Sequence, residues 1–507
     1  MSWRSHERGW TWWLVGMLVA LGMGIATPVH GQGIAVRWEK PIRLSDPNQM
    51  AWFPDVAASD DGTVVVVWSG GVQRGKAAFD TLVLTKRQGD FWSRPVDVQA
   101  ALIIQGMSFV TRNSILIDRY GDLLATFRVP TTLFFSRVPL PQATLASAWA
   151  SPYRLSGSNV AYYNELAVDP YGRLHVVWSE ITITEKSCEG CSEIYYRSSD
   201  NDGETWTAPK DLSQSPGYDS LKPHIWVARD GWVYVTWQEG KGLSGWERKP
   251  FGIGLTRSPD RGRTWLGPVL ITATVGSPQQ GVLGEDGQGA LILIWRTAET
   301  ETVYFQRSTD HGESWSSPMP LPGFRARPWA QIPYDDYDLA RDSLGRLHFV
   351  GVGAVGGEGQ VGVWHMMWDG TTWHGPFLVS ANRNFPEWPR LAFSEGRQLH
   401  LVWFERDPEN MYNSDAGRYT VWYSTALTDA PLARRTPMPR PAPTPTPTRW
   451  IPLTPSPTSW IPQVTDLPAL PPGQPRPDAD ATRLILWIGG GVGVISLFGW
   501  WVRRRMD

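Results

Sequence analysis

The sequence predicts an all-β chain folded as a β-propeller over residues 33–428, seven-bladed, or six-bladed as the alternative. Three observations predict it. First, a turn containing Gly, followed by an apolar run, recurs at Gly62, Gly121, Gly172, Gly231, Gly287, Gly345 and Gly396. Second, a Trp with a Pro two to three residues on, then an apolar run, recurs at Trp38, Trp92, Trp149, Trp206, Trp265, Trp315 and Trp373. Both signals return roughly every 50–60 residues, the length of a four-stranded blade with long loops. Third, the two series are out of phase. Residues 34–44 have no blade in front of them, and the last blade, 390–426, has no Trp-Pro strand after it. Placing 34–44 beside 419–425 closes the ring and removes two open sheet edges.

Taken in order, the chain begins with Arg4 and Arg8, an apolar run from about residue 10 to 26, and small residues at Ala26 and Gly31. That is the layout of a secretory signal peptide over 1–31, with an uncleaved anchor as the alternative. The two cysteines stand as Cys188-Glu189-Gly190-Cys191. One C-x-x-C supplies half a zinc site at most, so a local disulfide bracing a long loop is the expectation. Past the blades, 429–482 is rich in Pro and Thr and reads as an extended stalk that packs on nothing. An apolar run over 484–502 is long enough to span a bilayer, and Arg503, Arg504 and Arg505 follow it in the tail 503–507. Those arginines belong on the cytoplasmic side, which predicts a single-pass cell-membrane protein with its propeller outside.

Within the blades one motif repeats. Ser308-Thr309-Asp310-His311-Gly312-Glu313-Ser314-Trp315 and the run from Ser258 to Trp265 both read S-x-D-x-G-x-[ST]-W. A near-copy, Ser199 to Trp206, has Asn201 in the acidic position. The side-chain oxygens of Asn201, Asp260 and Asp310 can accept backbone N–H bonds across a tight turn. Gly203, Gly262 and Gly312 can adopt positive φ. Trp206, Trp265 and Trp315 offer large apolar faces to a neighbouring sheet. The pattern resembles the Asp-box, or BNR, repeat of the sialidase (neuraminidase) superfamily and its non-sialidase relatives. In that family the box is a structural turn.

The predicted strand order puts the Gly turns and the Asp boxes on one face. The long, varied loops fall on the other, which the resemblance makes the substrate face, and long loops on a rigid scaffold are where binding usually sits. The resemblance also implies a sialidase site: three arginines holding a carboxylate, a Tyr/Glu pair and an Asp. The inner-strand openings that should carry the first arginine read Trp52-Phe53-Pro54, Leu221-Lys222-Pro223 and Glu387-Trp388-Pro389, without it. Phe127-Arg128-Val129-Pro130 is closer but follows a second strand. The expectation is therefore a non-sialidase member. Its ligand-binding candidates on that face are Trp52, Asp55, Arg112, Arg128, Glu165, His224, Arg296, Trp329, Trp388 and Arg390.

The net charge of −2 gives no global argument for nucleic acid. His175, His348 and His400 occupy one repeat position on separate strands and so cannot converge on an ion; no metal or other cofactor is expected. Asp335, Asp336 and Asp338 read as an acidic loop. Trp-x-Glu endings at Glu180, Glu239 and Glu405 read as rim charges that came with the repeat. The functional expectation is a binding propeller for glycan or another extracellular polymer. The alternatives are a sialidase-like exo-glycosidase and a scaffold for a protein partner.

Overall fold

The computed structural model describes residues 36–440, apart from 75–76, 103–110, 130, 158, 182–190, 216, 242–248, 272–275, 298, 328–336, 357–360, 382–384 and 407–418. The expected signal peptide 1–31, the stalk beyond residue 440 and the span 484–502 lie outside the described residues. The expected membrane location is corrected. Among the described residues no helix is long and apolar enough to cross a membrane, and the only helices are two short 3-10 turns, Leu140–Gln142 and Ala146–Ala148.

The architecture is propeller-like and all β, built of antiparallel sheets connected strand to neighbouring strand. The innermost strands are Ala51–Ala58, Thr111–Ile117, Ala161–Val168, Asp219–Val227, Pro278–Glu285, Tyr337–Arg341 and Phe385–Ser394. Each packs on the next in that order, and Phe385–Ser394 packs back on Ala51–Ala58. Five of the sheets are separate. The sixth has eight strands, because Met319–Ala326 pairs with Leu347–Val355 through Phe324 opposite Val355.

The second strands are covered on both faces, and their sequences are accordingly rich in apolar residues. Val64, Val65, Val66 and Val67 are fully buried, as are Ile292, Leu293 and Ile294. Trp178, Trp237, Trp295 and Trp403 stand in four of these strands and are among the largest buried side chains. Three of these indoles explain the Trp-x-Glu endings. Nε1 of Trp178, Trp237 and Trp403 donates to Glu180, Glu239 and Glu405 at 2.7, 2.7 and 3.0 Å. These glutamates are buried indole acceptors, correcting their reading as rim charges.

The ring closes as the phase argument requires. Arg37–Trp38 and Ile42–Arg43 pair with Thr420–Leu427, with Trp38 opposite Ala426 and Ile42 opposite Tyr423. Side chains add to the ladder: Val421 N–H donates to Ser45 Oγ at 2.9 Å, and Ser424 Oγ–H to the Glu39 carbonyl at 2.7 Å.

The three boxes form one turn. Ser258 Oγ donates to Asp260 Oδ1 at 2.9 Å and accepts Gly262 N–H at 2.7 Å, while Asp260 Oδ1 accepts Thr264 N–H at 2.7 Å. Ser308, Asp310 and Ser314 repeat this pattern, and Ser199, Asn201 and Thr205 do so with an amide oxygen. The tip glycines wedge against the preceding sheet. A Cβ on Gly262 would stand 1.8 Å from the Tyr196 hydroxyl, and one on Gly203 2.1 Å from the Phe135 ring. Trp265 and Trp206 meet those same rings edge-on at 4.8 and 5.1 Å.

The repeated histidines are structural and separately housed. His175 Nδ1 pairs with the Tyr196 hydroxyl at 2.8 Å, and His348 Nδ1 with His365 Nε2 at 2.9 Å. His400 lies between Ser394 Oγ at 2.8 Å and the Tyr423 hydroxyl at 2.7 Å. Burial, helped by the Arg87 charge, pushes His400 down from 6.5 to about 3. Between those values the unfolded chain binds a proton that the folded site refuses. Stability from this group is therefore intact above pH 6.5 and drains as pH falls, by about 1.4 kcal/mol per unit. Thermal melts from pH 7 to 5 should show a shallower acid decline for His400→Gln than for the parent. Buried Asp55 and Glu239, both pushed up to about 7, tilt stability the other way, but they are common to both proteins and cancel in the comparison.

The tail departs from expectation. Residues 429–440 run in extended form along the Gly-turn face and are bonded to it at several points. Asp429 meets Arg346 at 2.7 Å, Ala433 N–H donates to the Glu395 carbonyl at 2.8 Å, and Met438 N–H donates to the Arg119 carbonyl at 2.8 Å. The first part of the expected stalk is therefore part of the folded unit.

Candidate functional site

The inner strands open on a shared irregularity. Pairing with the second strand shifts between Trp52 and Asp55, Thr111 and Ser114, Ala161 and Asn164, Leu221 and His224, Gln279 and Val282, and Glu387 and Arg390. A bulge inserts one residue and re-aims its neighbours. Phe53, Arg112, Lys222, Gln280 and Trp388 occupy it with φ of 49, 58, 55, 55 and 55°. Positive φ on five bulky residues at one level of the ring costs backbone energy that the surrounding sheets must impose. In three of the strands the next residue is Pro, which lacks the N–H that the interrupted ladder could not pair.

Just past the six bulges, and at the matching register of Tyr337–Arg341, lies one equivalent position. Opposite Val67, Thr126, Val177, Thr236, Ile294, Val350 and Val402 stand Asp55, Ser114, Glu165, His224, Val282, Asp338 and Arg390. These residues form a belt between inner strands. Asp55 Oδ2 accepts Ile115 N–H at 2.7 Å, Ser114 Oγ accepts Leu166 N–H at 3.2 Å, and Glu165 Oε2 accepts Ile225 N–H at 2.6 Å. His224 Nε2 faces the Leu283 carbonyl at 2.9 Å, and Asp338 Oδ2 accepts Leu391 N–H at 2.8 Å. Val282 and Arg390 cannot accept. At the two following strands the carboxylate bonds its own next amide instead: Asp338 Oδ1 takes Leu339 N–H and Asp55 Oδ1 takes Val56 N–H, both at 2.8 Å.

The electrostatics follow from this crowding. Burial drives Asp55 up to about 7, against the pull of Arg390 and the two amides. Burial also raises Asp338. Glu165 is held down and His224 held up, although burial opposes both. Their mutual contact at 3.1 Å is the largest favourable cause for each.

Above this belt lies an open cleft with about 490 Å³ of empty space, lined by Tyr163, Asn164, Glu165, Lys222, Pro223, His224, Gln280, Gly281, Val282, Tyr337, Trp388 and Arg390. The Arg390 guanidinium sits over the Trp388 ring at 4.2 Å, and Trp388 meets Phe53 edge-on at 4.9 Å. The Gln280 carboxamide is 6% exposed, and neither its oxygen nor its nitrogen has a protein partner.

Four of the ten candidate residues, Glu165, His224, Trp388 and Arg390, line this cleft, and Asp55 sits in the belt below it. Arg112 stacks behind the cleft wall, 4.0 Å from the Tyr163 ring centre and 5.7 Å from that of Trp388. Arg128 lies behind Tyr162 at 4.7 Å and donates to the Ala161 carbonyl at 3.2 Å. Trp52 is half-buried against Phe53 and Tyr419, away from the lining. Arg296 is fully buried and bonds the Thr297 carbonyl at 3.3 Å. Trp329 lies outside the described residues, as does Cys188; Cys191 is disulfide-bonded. Sequence reasoning missed Tyr163, Lys222, Gln280 and Tyr337. Lys222 stood in a recognised opening and Gln280 in a matching one that has Gly281 in place of Pro. Among the described residues no group of three or more His, Cys, Asp or Glu side chains is placed to hold a metal.

The repeated turns are of the BNR/Asp-box kind and the fold is propeller-like. Residues 140–325 match the BNR repeat-like domain family. No curated protein matches the sequence. Solved structures do. A protein of unknown function from Dyadobacter fermentans is 14% identical, over 78% of this chain and 99% of that one, with a TM-score of 0.45. The NanB sialidase from Streptococcus pneumoniae is 12% identical, over 77% of this chain and 70% of that one, with a TM-score of 0.44. An α-L-arabinanase from Penicillium chrysogenum, solved with arabinobiose, is 12% identical, over 65% and 98%, with a TM-score of 0.42.

Proposed function

We propose that the cleft binds a glycan and does not hydrolyse it, and that the ring has seven blades. The cyclic packing of seven inner strands supports the blade count, the eight-stranded sheet being two blades joined at one edge. The observation that carries the binding reading is the Gln280 carboxamide. It is buried and without protein partners, beside an indole, a guanidinium and an ammonium group. A buried amide left unpaired costs about 1–3 kcal/mol, and a ligand hydroxyl or carboxylate would recover it. Lys222 and Arg390 favour an anionic group, and the half-buried Tyr163 supplies a ring face. The carboxylates that a hydrolase would use are committed elsewhere: Asp55, Glu165 and Asp338 each hold a backbone amide of the next strand. Among the candidate arginines only Arg390 lines the cleft, which does not supply the three-arginine clamp a sialidase needs.

One observation favours the rival reading of a glycoside hydrolase. Asp55, pushed up to about 7, has the proton affinity of a general acid. A single pair of assays separates the two. Glycan-array binding should be seen for the parent and weakened about tenfold or more by Gln280→Ala and by Arg390→Ala. Fluorogenic glycosides should not be turned over. Turnover that Asp55→Asn abolishes would establish the hydrolase, and binding indifferent to both cleft substitutions would sink the proposal.

A further inference from the structure

We propose that residues 429–440 are a strap that locks the seam of the ring, read by an acidic track on the Gly-turn face. The seam is where the chain's first sheet meets its last, across the inner strands Ala51–Ala58 and Phe385–Ser394. The chain crosses it once, where residues 44–50 link Ile42–Arg43 of the last sheet to the start of Ala51–Ala58; at the Gly-turn ends of the two inner strands no such covalent link exists. The N-terminal strands complete the last sheet but do not reach across to the first sheet's turns. The strap does. From its start it touches the turns of four successive inner strands on both sides of the seam.

On the last-sheet side, Ser343 Oγ donates to the Pro431 carbonyl at 2.6 Å, and Ala433 N–H donates to the Glu395 carbonyl. Arg434 Nε donates to Glu395 Oε1 at 2.6 Å. The strap then crosses. Asp60 bridges the two sides: its Oδ1 accepts Glu395 N–H and its Oδ2 accepts Arg435 N–H, both at 2.6 Å. On the far side Met438 N–H donates to the Arg119 carbonyl at 2.8 Å. Arg440 ends in an acidic pocket. It stands 2.7 Å from Asp122, 3.8 Å from Asp118 and 3.9 Å from Asp202, with its guanidinium over the Tyr120 ring at 5.1 Å.

The chemistry suits a lock. The acidic track of Asp60, Asp118, Asp122, Asp202 and Glu395 faces Arg434 and Arg440, with Arg435 between them. Pro437 and Pro439 hold the strap extended at low entropic cost, and Pro437 lies over Gly121, where a Cβ would meet it at 3.5 Å. Arg440 is 34% exposed and its partners Asp118 and Asp122 are 4 and 15% exposed, so the pairing is only partly screened by water. The two strands joined at the seam carry Asp55, Trp388 and Arg390, so the strap steadies the part of the ring that shapes the cleft.

The test uses the full chain and its Arg434→Glu/Arg440→Glu variant, with hydrogen exchange by mass spectrometry and thermal melting. In the parent, a peptide covering 433–440 should exchange about tenfold or more slowly than the same peptide free in solution. The variant should lose that protection, raise exchange in 59–63 and 118–122, and melt at least a few degrees lower. Adding Asp122→Lys to the variant should restore part of both. Free exchange of 433–440 in the parent would overturn the docked strap. Loss of protection with unchanged melting and unchanged exchange in the turns would overturn the lock.

Discussion

Deleting residues 36–45 is expected to abolish cooperative melting and leave a protein that aggregates. The deleted segment supplies both outer strands of the last sheet, Arg37–Trp38 and Ile42–Arg43. Its loss exposes the edge of Thr420–Leu427, a strand of Val, Tyr and Trp with unpaired N–H and C=O groups, which is a template for pairing with another chain. It also uncovers apolar surface. Val36 is 6% exposed and belongs to the cluster of Val350, Val352, Leu401 and Trp403. Trp38 packs on the same cluster and lies edge-on to His365 at 5.5 Å. Calorimetry and light scattering on the truncated chain would check this. A sharp melt at the parent temperature would show that the last sheet stands without its N-terminal strands.

Glu387→Ala is expected to give the largest loss from a single substitution. Glu387 is fully buried and faces two arginines: Arg406 Nε at 2.6 Å and Arg327 Nη2 at 3.5 Å. Arg327 is fully buried as well. Removing the carboxylate leaves buried positive charge without its counter-ion, which costs about 3–5 kcal/mol. Because Trp388 and Arg390 follow on the same strand, cleft binding should fall along with stability. Urea unfolding should show a lower midpoint with an unchanged slope. Replacing Arg327 by Met in the same chain should recover part of the loss, since one of the two buried charges that Glu387 faces is then gone. An unshifted midpoint would mean that the pair is hydrated and worth little.

Much of the fold was legible because the chain repeats itself. A period of Gly turn, apolar run and Trp-Pro strand is a local signal written many times, and each copy corroborates the others. The box turn was readable down to its bonds: Asp260 and Asp310 accept the amides that their spacing predicts, and Asn201 does so with an amide oxygen. Even the ring closure could be inferred, because two out-of-phase series leave one strand over at the start and one missing at the end. The histidines were also readable, since a shared repeat position on separate strands cannot converge.

The candidate site was half legible, and the reason lies in geometry. The openings Trp52-Phe53-Pro54, Leu221-Lys222-Pro223 and Glu387-Trp388-Pro389 announce something irregular, but not which of the three side chains turns inward. The bulge decides that, and so Trp388 lines the cleft while Trp52 packs aside against Tyr419. Arg296 looked equivalent to Arg112 as a cation near one face, yet its place in a second strand buries it among neighbours. The tail was misjudged for a different reason. Its composition is that of an extended linker, and it is extended; its docking depends on acidic turns that come together only once the ring is closed.

By itself, then, the sequence determined everything that recurs with the period: the strands, the box turns, the buried indoles and the out-of-phase end. What only the tertiary structure decided is what meets across the ring. Asp55, Glu165, His224, Asp338 and Arg390 lie scattered along the chain with no motif around them, because the repeat conserves their position and not their identity. They become one belt only because closure sets seven equivalent positions side by side, where Asp55, Glu165, His224 and Asp338 each bond the neighbouring strand.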